Sequence, residues 1–168
     1  RGGGGGWNGA IFAVNGGNIA GLYIDGCEFE RNMGSWTSNG GAGAVFLPCD
    51  TGYGNVLRDI WLTNSHFGVS NGVATGPPTF NLVFWQSEEG GPGWWGDVHI
   101  INNVFETTDE FNLDFDGLWA RDNGHNDVEI RGNLIKGAGI VRPDGSRPSW
   151  GYAICTEPTR EGTVIEGN

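Results

Sequence analysis

The chain has 168 residues, of which 32 are glycine, and its 20 acidic and 9 basic side chains give a net charge of -11. This length indicates one domain, and eight tryptophans and nine phenylalanines supply enough apolar surface for a core, which argues against a disordered glycine-rich chain. The negative charge repels phosphate backbones and anionic membrane surfaces, and the sequence has no run of 18 apolar residues, so we expect neither nucleic acid nor a membrane as a partner.

One sequence pattern recurs along the chain. Its five copies align without gaps, and in chain order they are Gly21–Phe29, Asp59–Phe67, Asp97–Phe105, Asp127–Ile135 and the truncated Gly162–Asn168. The fourth position is always Ile or Leu, and it recurs at separations of 38, 38, 30 and 35 residues. Self-similarity at such a period predicts a solenoid, and the alternation of apolar residues within each copy predicts a strand.

The positions within each copy indicate a strand that ends in a sharp corner. The second and fourth positions should stack in one buried column, formed by Leu22, Ile24, Ile60, Leu62, Val98, Ile100, Val128 and Ile130. A pair such as Gly26-Cys27 or Asn102-Asn103 follows, and Gly and Asn tolerate the left-handed backbone of a corner. A stacked Asn there can satisfy backbone groups of the neighbouring repeats, and the next apolar residue, such as Phe67, should point back inside.

A second set of strands lies between the copies. In chain order these segments are Ala10–Val14, Ala44–Leu47, Leu82–Trp85, Asn112–Phe115 and Tyr152–Ile154. Each repeat therefore carries at least two strands, joined by loops of unequal length, and no long amphipathic helix pattern interrupts them. Leucine-rich repeats and propeller blades fit this spacing less well.

The third position of the copies should form a row of outward side chains, because side chains alternate between the two faces of a strand. In chain order this row reads Tyr23, Trp61, His99, Glu129 and Val164. Tyr23 and Trp61 would expose a large apolar area there, so we expect either a loop or a ligand to cover them.

Tryptophans also stand near carboxylates in the second set of strands. Alternation places Trp85 outward, one repeat away from Asp114 and Asp116, and Trp94 and Trp95 lie in a glycine-rich segment that we interpret as a loop. An aromatic face beside polar acceptors suits a pyranose, whose C–H face stacks on the ring while its hydroxyls bind the carboxylates.

The densest acidic stretch runs from Asp109 to Asp116. Asp114 and Asp116 share a strand face, about 6–7 Å apart from the strand rise, and with Asp109 or Glu110 they could hold calcium. The same carboxylates could instead form an acid and base pair for glycoside cleavage, and a solvated acidic face is the third alternative.

The cysteines and histidines do not have metal-ligand spacing. We interpret the three cysteines, Cys27, Cys49 and Cys155, as small buried hydrophobic residues. The three histidines, His66, His99 and His125, fall on different repeats, and we expect them to be surface or hydrogen-bonding residues.

The motif V-x-I-x-N-N-x-F at Val98–Phe105 resembles the repeat of pectate-lyase-like right-handed β-helix proteins, and the resemblance extends from Gly9 to Asn168. It implies an all-β fold, a right-handed parallel β-helix solenoid of about 4–5 coils in which residues 1–168 form a single domain. Because the sequence lacks an initiator Met and a signal peptide and ends within a repeat, we expect a trimmed module or a fragment of a larger protein.

The superfamily contains lyases, hydrolases, phage tailspikes and noncatalytic binding modules, so the resemblance leaves the chemistry open. The segment Asn112–Gly117 is faintly similar to the N-T-D motif of β-helical polygalacturonases, but their paired Asp-Asp, Gly-His-Gly and Arg-Ile-Lys motifs are missing from the sequence. The trimmed ends, the net negative charge and the aromatic excess are similar to those of β-helical carbohydrate-binding modules of plant-cell-wall-degrading enzymes, including a family that binds xylan.

We therefore expect a secreted, noncatalytic module attached to a catalytic domain, which binds a neutral β-glycan, xylan first, and requires no cofactor. The expected ligand-binding residues are Trp85, Trp94, Trp95, Trp61, Tyr23, Asp114 and Asp116. The alternatives are a polysaccharide lyase or glycoside hydrolase that uses the Asp109–Asp116 carboxylates, and a structural or adhesion segment.

Overall fold

A computed structural model describes residues 8–12, 18–29, 42–49, 56–68, 79–86, 94–106, 111–116, 127–137, 145, 153–156 and 163–168. The regular structure in these ranges is all β, without a helix. The strands are β1 (Asn8–Phe12), β2 (Ile19–Asp25), β3 (Glu28–Phe29), β4 (Ala42–Cys49), β5 (Val56–Thr63), β6 (His66–Phe67), β7 (Thr79–Gln86), β8 (Trp94–Ile101), β9 (Val104–Phe105), β10 (Phe111–Asp116), β11 (Val128–Arg131), β12 (Leu134–Ile135), β13 (Ile154–Thr156) and β14 (Thr163–Glu166). In the same ranges no helix is present that could span a membrane.

The strands form three sheets, and all pairings within them are parallel. The first sheet has the order β1-β4-β7-β10-β13, the second β2-β5-β8-β11-β14, and the third β3-β6-β9-β12. The chain visits the sheets in rotation, so each sheet collects the same part of successive repeats. The predicted second set of strands is the first sheet, where Val45, Leu82, Leu113 and Ile154 are in register.

The second sheet confirms the gap-free alignment of the repeats. Ile24, Leu62, Ile100, Ile130 and Ile165 pair in succession along it. The predicted column is buried from Ile24 to Ile130, while Leu22 is half-buried and Ile165, on the edge strand β14, is 48% exposed. Full burial of such a side chain contributes about 1.5–3 kcal/mol, so this column is a main source of stability.

The predicted corners follow the strands of the second sheet. The corner residues have left-handed φ angles, namely 60° at Gly26, 50° at Asn64, 56° at Asn102, 65° at Gly132 and 64° at Gly167. Glycine has no Cβ to clash in this conformation and asparagine tolerates it, which explains why the sixth position is always one of these two residue types.

The corners lead into the third sheet, whose strands have only two residues each. The rings of Phe29 and Phe67 stack with centroids 4.7 Å apart, and those of Phe67 and Phe105 with centroids 4.6 Å apart. Phe67 and Phe105 are fully buried, and Ile135 continues their register. The inward direction of these residues was predicted, whereas the third sheet was not.

A ladder of polar side chains runs through the corners, as expected. Asn103 and Asn133 are buried, and each uses its Nδ2 to donate to a backbone oxygen of the preceding repeat, Leu62 O and Ile100 O respectively, at 2.9 Å. The Oδ1 of Asn103 accepts from the backbone N–H of Ser65 at 2.9 Å. Neighbouring repeats are thereby fixed in register.

Cys27 occupies the first position of this ladder and corrects one prediction. It was expected to be buried, but it is exposed, and its thiol lies 3.5 Å from the carbonyl oxygen of Asp25. Cys27 lies in the corner that follows β2 (Ile19–Asp25), and β2 is an edge strand of the second sheet, so no described repeat covers the cysteine on that side. Cys49 and Cys155 lie in β4 and β13, and their side chains are outside the described part.

Candidate functional site

The predicted row of outward side chains is present on the second sheet. Tyr23, Trp61, His99, Glu129 and Val164 pair in succession from β2 to β14. We call these five residues the outer row. Tyr23 is the most exposed of them, at 65%, whereas Trp61, His99 and Glu129 are half-buried.

A side chain of the next repeat covers part of Trp61. The indole of Trp61 and the imidazole of His99 stack with centroids 3.7 Å apart and an interplanar angle of 17°. One face of the indole is therefore occupied by His99. The sequence suggested a loop or a ligand as the cover, and the structure shows that another member of the row supplies part of it.

An aspartate precedes each of these two rings by two residues. Asp59 and Asp97 both have a left-handed backbone, with φ of 55°. The Nε1–H of Trp61 donates to Oδ1 of Asp59 at 2.8 Å, and Nε2 of His99 lies 3.1 Å from Oδ1 of Asp97. Aspartate is among the few residue types that tolerate this conformation, which explains its place at the first template position in these two repeats.

Tyr23, on the adjacent strand β2, is hydrogen-bonded to Asp59. Its hydroxyl donates to Oδ2 of Asp59 at 2.7 Å. Gly21 takes the place of the aspartate in this repeat, with φ of 83°, and a Cβ there would lie 3.3 Å from Cε2 of Tyr23. The glycine leaves room for the tyrosine ring close to its own strand, and the hydrogen bond to Asp59 holds the exposed ring there.

Hydrogen bonding reinforces the charge states that Asp and Tyr ordinarily have at neutral pH. The hydrogen bonds from Tyr23 and then from Trp61 hold the pKa of Asp59 below its usual value. The hydrogen bond to Asp59 raises the pKa of Tyr23, and the negative charges of Asp59 and Asp97 add to the rise. At neutral pH Asp59 is therefore ionised and Tyr23 keeps its proton.

The other end of the outer row carries paired charges. Nδ1 of His99 lies 3.0 Å from Oε2 of Glu129, and Nε of Arg131 lies 3.0 Å from Oε1 of the same glutamate. Arg131 also contacts Glu166 on the edge strand, at 3.3 Å. The outer row therefore changes from an exposed ring at Tyr23 to a charged pair at His99 and Glu129, and Arg131 extends this network outside the row.

A second charged row crosses the third sheet. His66 lies between Glu28 at Nδ1 and Glu106 at Nε2, and Glu106 also pairs with Lys136. The hydrogen bond to Glu106 and the two carboxylate charges raise the pKa of His66, while Lys136 and then His66 lower the pKa of Glu106. The expected hydrogen-bonding role of His66 and His99 is confirmed, and His125 lies outside the described residues.

The predicted aromatic and acidic residues of the first sheet lie on two neighbouring strands. Trp85 lies in β7 and is in register with Asp116 of β10, while Asp114 pairs with Val83. The backbone thus places Trp85 one repeat from both aspartates, as the alternation indicated. The side chains of these three residues are not described, and Asp109 and Glu110 lie outside the described residues.

Trp94 and Trp95 were interpreted as loop residues, and that interpretation is wrong. They begin strand β8, where they pair with Val56 and Leu57 of β5. Strand β5 begins three residues before its repeat copy, so it offers backbone partners to this segment, and tryptophan is favoured in strands. Their side chains are not described.

Within the described residues no group of three or more His, Cys, Asp or Glu side chains could hold a metal ion. Comparison of the chain with protein families, with curated proteins and with solved structures found no match.

Proposed function

We propose that the protein is a right-handed parallel β-helix that serves as a noncatalytic carbohydrate-binding module. The rotation of the chain through three parallel sheets supports the β-helix, because a chain that returns each time beside its previous strand winds as a solenoid. The aligned column from Ile24 to Ile130 would be the interior of that solenoid, and the outer row would lie on its surface.

The observation that carries the binding proposal is the exposed, anchored ring of Tyr23. A sugar gains affinity when its C–H face stacks on an aromatic ring that does not have to be ordered on binding. Tyr23 is 65% exposed while its hydroxyl is held by Asp59, so it offers such a ring. Asp97, on β8 two strands from β2 in the same sheet, has an exposed carboxylate that can accept hydrogen bonds from sugar hydroxyls.

The ligand we propose is a neutral plant cell-wall β-glycan, with xylan first. Asp59, Asp97 and the net charge of -11 repel polyuronates, and neutral chains meet no such barrier. Further contacts are proposed at Trp61 and at Trp85, Trp94, Trp95, Asp114 and Asp116, and the register of Trp85 with Asp116 supports an aromatic ring near a carboxylate. We also propose that the protein is secreted and that the module is attached to a catalytic domain.

Affinity electrophoresis in gels with xylan, glucan, mannan or pectin tests the proposal. Stacking with one or two hydrogen bonds should give micromolar to millimolar affinity, about -4 to -8 kcal/mol, with little dependence on salt. Tyr23→Ala should abolish the retardation by xylan. Leu134→Ala removes an exposed apolar side chain from the third sheet and should leave it intact.

Assays for reducing sugars and unsaturated products, run on the same glycans, separate binding from catalysis. The binding module should release neither product. Steady product release that disappears in Asp116→Asn would overturn the proposal in favour of an enzyme that uses the Asp109–Asp116 carboxylates. If none of the glycans retards the protein, the remaining interpretation is a structural or adhesion segment.

A further inference from the structure

Asp59 is the one described carboxylate that joins two rings of the outer row. It accepts from the hydroxyl of Tyr23 at 2.7 Å through Oδ2 and from the indole N–H of Trp61 at 2.8 Å through Oδ1. The two rings lie on adjacent strands, 38 residues apart in sequence. One side chain therefore fixes the exposed ring relative to the half-buried one.

We propose that Asp59 is the positioning residue of the sugar-binding site, and that it acts on the ligand through Tyr23. This inference rests on the proposed function. A tyrosine on an open surface samples several rotamers, and each must be given up when a sugar stacks on it. The hydrogen bond to Asp59 removes that freedom before the ligand arrives, so affinity depends on a residue that the ligand does not touch.

The backbone at Asp59 is part of the arrangement. Its φ of 55° is left-handed, and the carboxylate lies within reach of a ring two residues later and of a ring on the preceding repeat. Asp97 has the same φ and the same contact to its own ring, at His99. Asp59 differs because the outer-row residue in register with its ring on the preceding repeat is Tyr23, whose hydroxyl donates to Asp59.

Binding measurements on substituted proteins test the role of Asp59. Asp59→Asn keeps a residue that adopts left-handed φ, as Asn64 and Asn102 do here, and it removes the charge. We expect xylan binding to weaken roughly tenfold, which corresponds to about 1.4 kcal/mol. The matched control is Asp25→Asn, because Asp25 is also an exposed carboxylate of the second sheet that accepts two hydrogen bonds from the next repeat, from Thr63 and Asn64. That control should bind xylan like the wild type.

A double-mutant cycle distinguishes positioning from direct contact with the sugar. Tyr23→Phe keeps the ring and removes the hydroxyl, so it should weaken binding to a similar degree. If Asp59 acts through Tyr23, Asp59→Asn should cost little more affinity in the Tyr23→Phe background. Losses that add in the double variant would show that Asp59 contacts the ligand itself, and would overturn the proposal.

Spectrophotometric titration of the tyrosines gives a readout that needs no ligand. The chain has three tyrosines, and the contact with Asp59 raises the pKa of Tyr23. Asp59→Asn should move one tyrosine to a lower titration pH, and Asp25→Asn should move none. An unchanged titration, or unchanged xylan affinity in Asp59→Asn, overturns the positioning role alone, whereas a wild-type protein that no glycan retards overturns the proposed function as well.

Discussion

Asn133 holds the preceding repeat through Asn103. Its Oδ1 accepts from the backbone N–H of Asn103 at 2.9 Å and from Nδ2 of the same residue at 3.0 Å. Both asparagines are buried, so water does not replace these bonds when one partner is lost. The ladder therefore fixes the alignment of the repeats at the corners, while the apolar column fixes it along the strands.

Asn103→Ala removes only a few atoms, but it should destabilise the protein strongly. It leaves the backbone N–H of Ser65 and the carbonyl oxygen of Leu62 without their partner, at about 1–3 kcal/mol for each buried group. Urea unfolding measures the loss. Leu134→Ala, at a site that is 55% exposed, should change the free energy of unfolding by less than about 0.5 kcal/mol. Equal losses in the two variants would contradict a structural role of the ladder.

Ile100→Ala should lower the free energy of unfolding by about 2–5 kcal/mol, because it opens a cavity in a fully buried column. The matched control is Ile165→Ala, which makes the same change at the same template position on the edge strand β14. Since Ile165 is 48% exposed, Ile165→Ala should lower the free energy of unfolding much less than Ile100→Ala does. The comparison, again by urea unfolding, would fail if the two losses were the same.

Gly26 should accept asparagine but not valine. Its φ is 60°, and a Cβ there would meet no atom within 4 Å, so only the backbone conformation restricts the residue type. Asn64 and Asn102 hold the same corner in the next two repeats, and Gly26→Asn should therefore stay within about 0.5 kcal/mol of the wild type. Gly26→Val should cost about 1–2 kcal/mol or more, because a β-branched side chain clashes with its own backbone in the left-handed region, where asparagine is tolerated. Thermal melts of both variants distinguish them.

The gap-free repeats allowed the register of the second sheet to be predicted residue by residue. An apolar residue at the fourth position of each copy identifies the column, and a Gly or Asn at the sixth position of each copy identifies the corner. The pairing of Ile100 with Leu62 and Ile130 follows from that alignment alone. Periodicity was sufficient here because the pattern extends over several residues in every copy.

Other features depend on contacts that a linear pattern does not record. A two-residue strand such as Val104–Phe105 is too short to show alternation, so the third sheet was not predicted. Asp59 was recognised only as a recurring small or acidic residue, because its partner Tyr23 lies 36 residues away and its backbone conformation arises in the fold. The strand at Trp94 depends on the early start of its partner β5, which glycine-rich surroundings concealed.

The calcium prediction concerns Asp114 and Asp116 with Asp109 or Glu110. If calcium binds there, thermal melts with calcium should lie above melts with a chelator, because a ligand that binds only the folded state stabilises it. Asp116→Asn should remove the difference. Identical melts of the wild-type protein in calcium and in chelator would leave a solvated acidic face.

The charged row on the third sheet should make stability depend on pH. The pKa of His66 is raised from 6.5, so its contribution is fully present below about pH 6.5 and is lost as the pH rises through the folded-state value. The pKa of Glu106 is lowered from 4.5, so its contribution is present above about pH 4.5 and is lost as the pH falls. The two contributions overlap between these values, and stability should be highest there.

His66→Gln tests the alkaline side of this dependence. The variant cannot gain a proton between Glu28 and Glu106, so its free energy of unfolding should fall less than that of the wild type as the pH rises from 6 to 9, a range chosen about the unperturbed value. The difference should be modest, because the His66 side chain is 38% exposed and solvent screens its charge. Leu134→Ala on the same sheet removes no titrating group and should keep the wild-type slope. Urea unfolding at each pH gives the free energy of unfolding of both proteins. If it depends on pH equally in His66→Gln and in the wild type, the carboxylates do not raise the pKa of His66 in the folded protein, and the prediction is wrong.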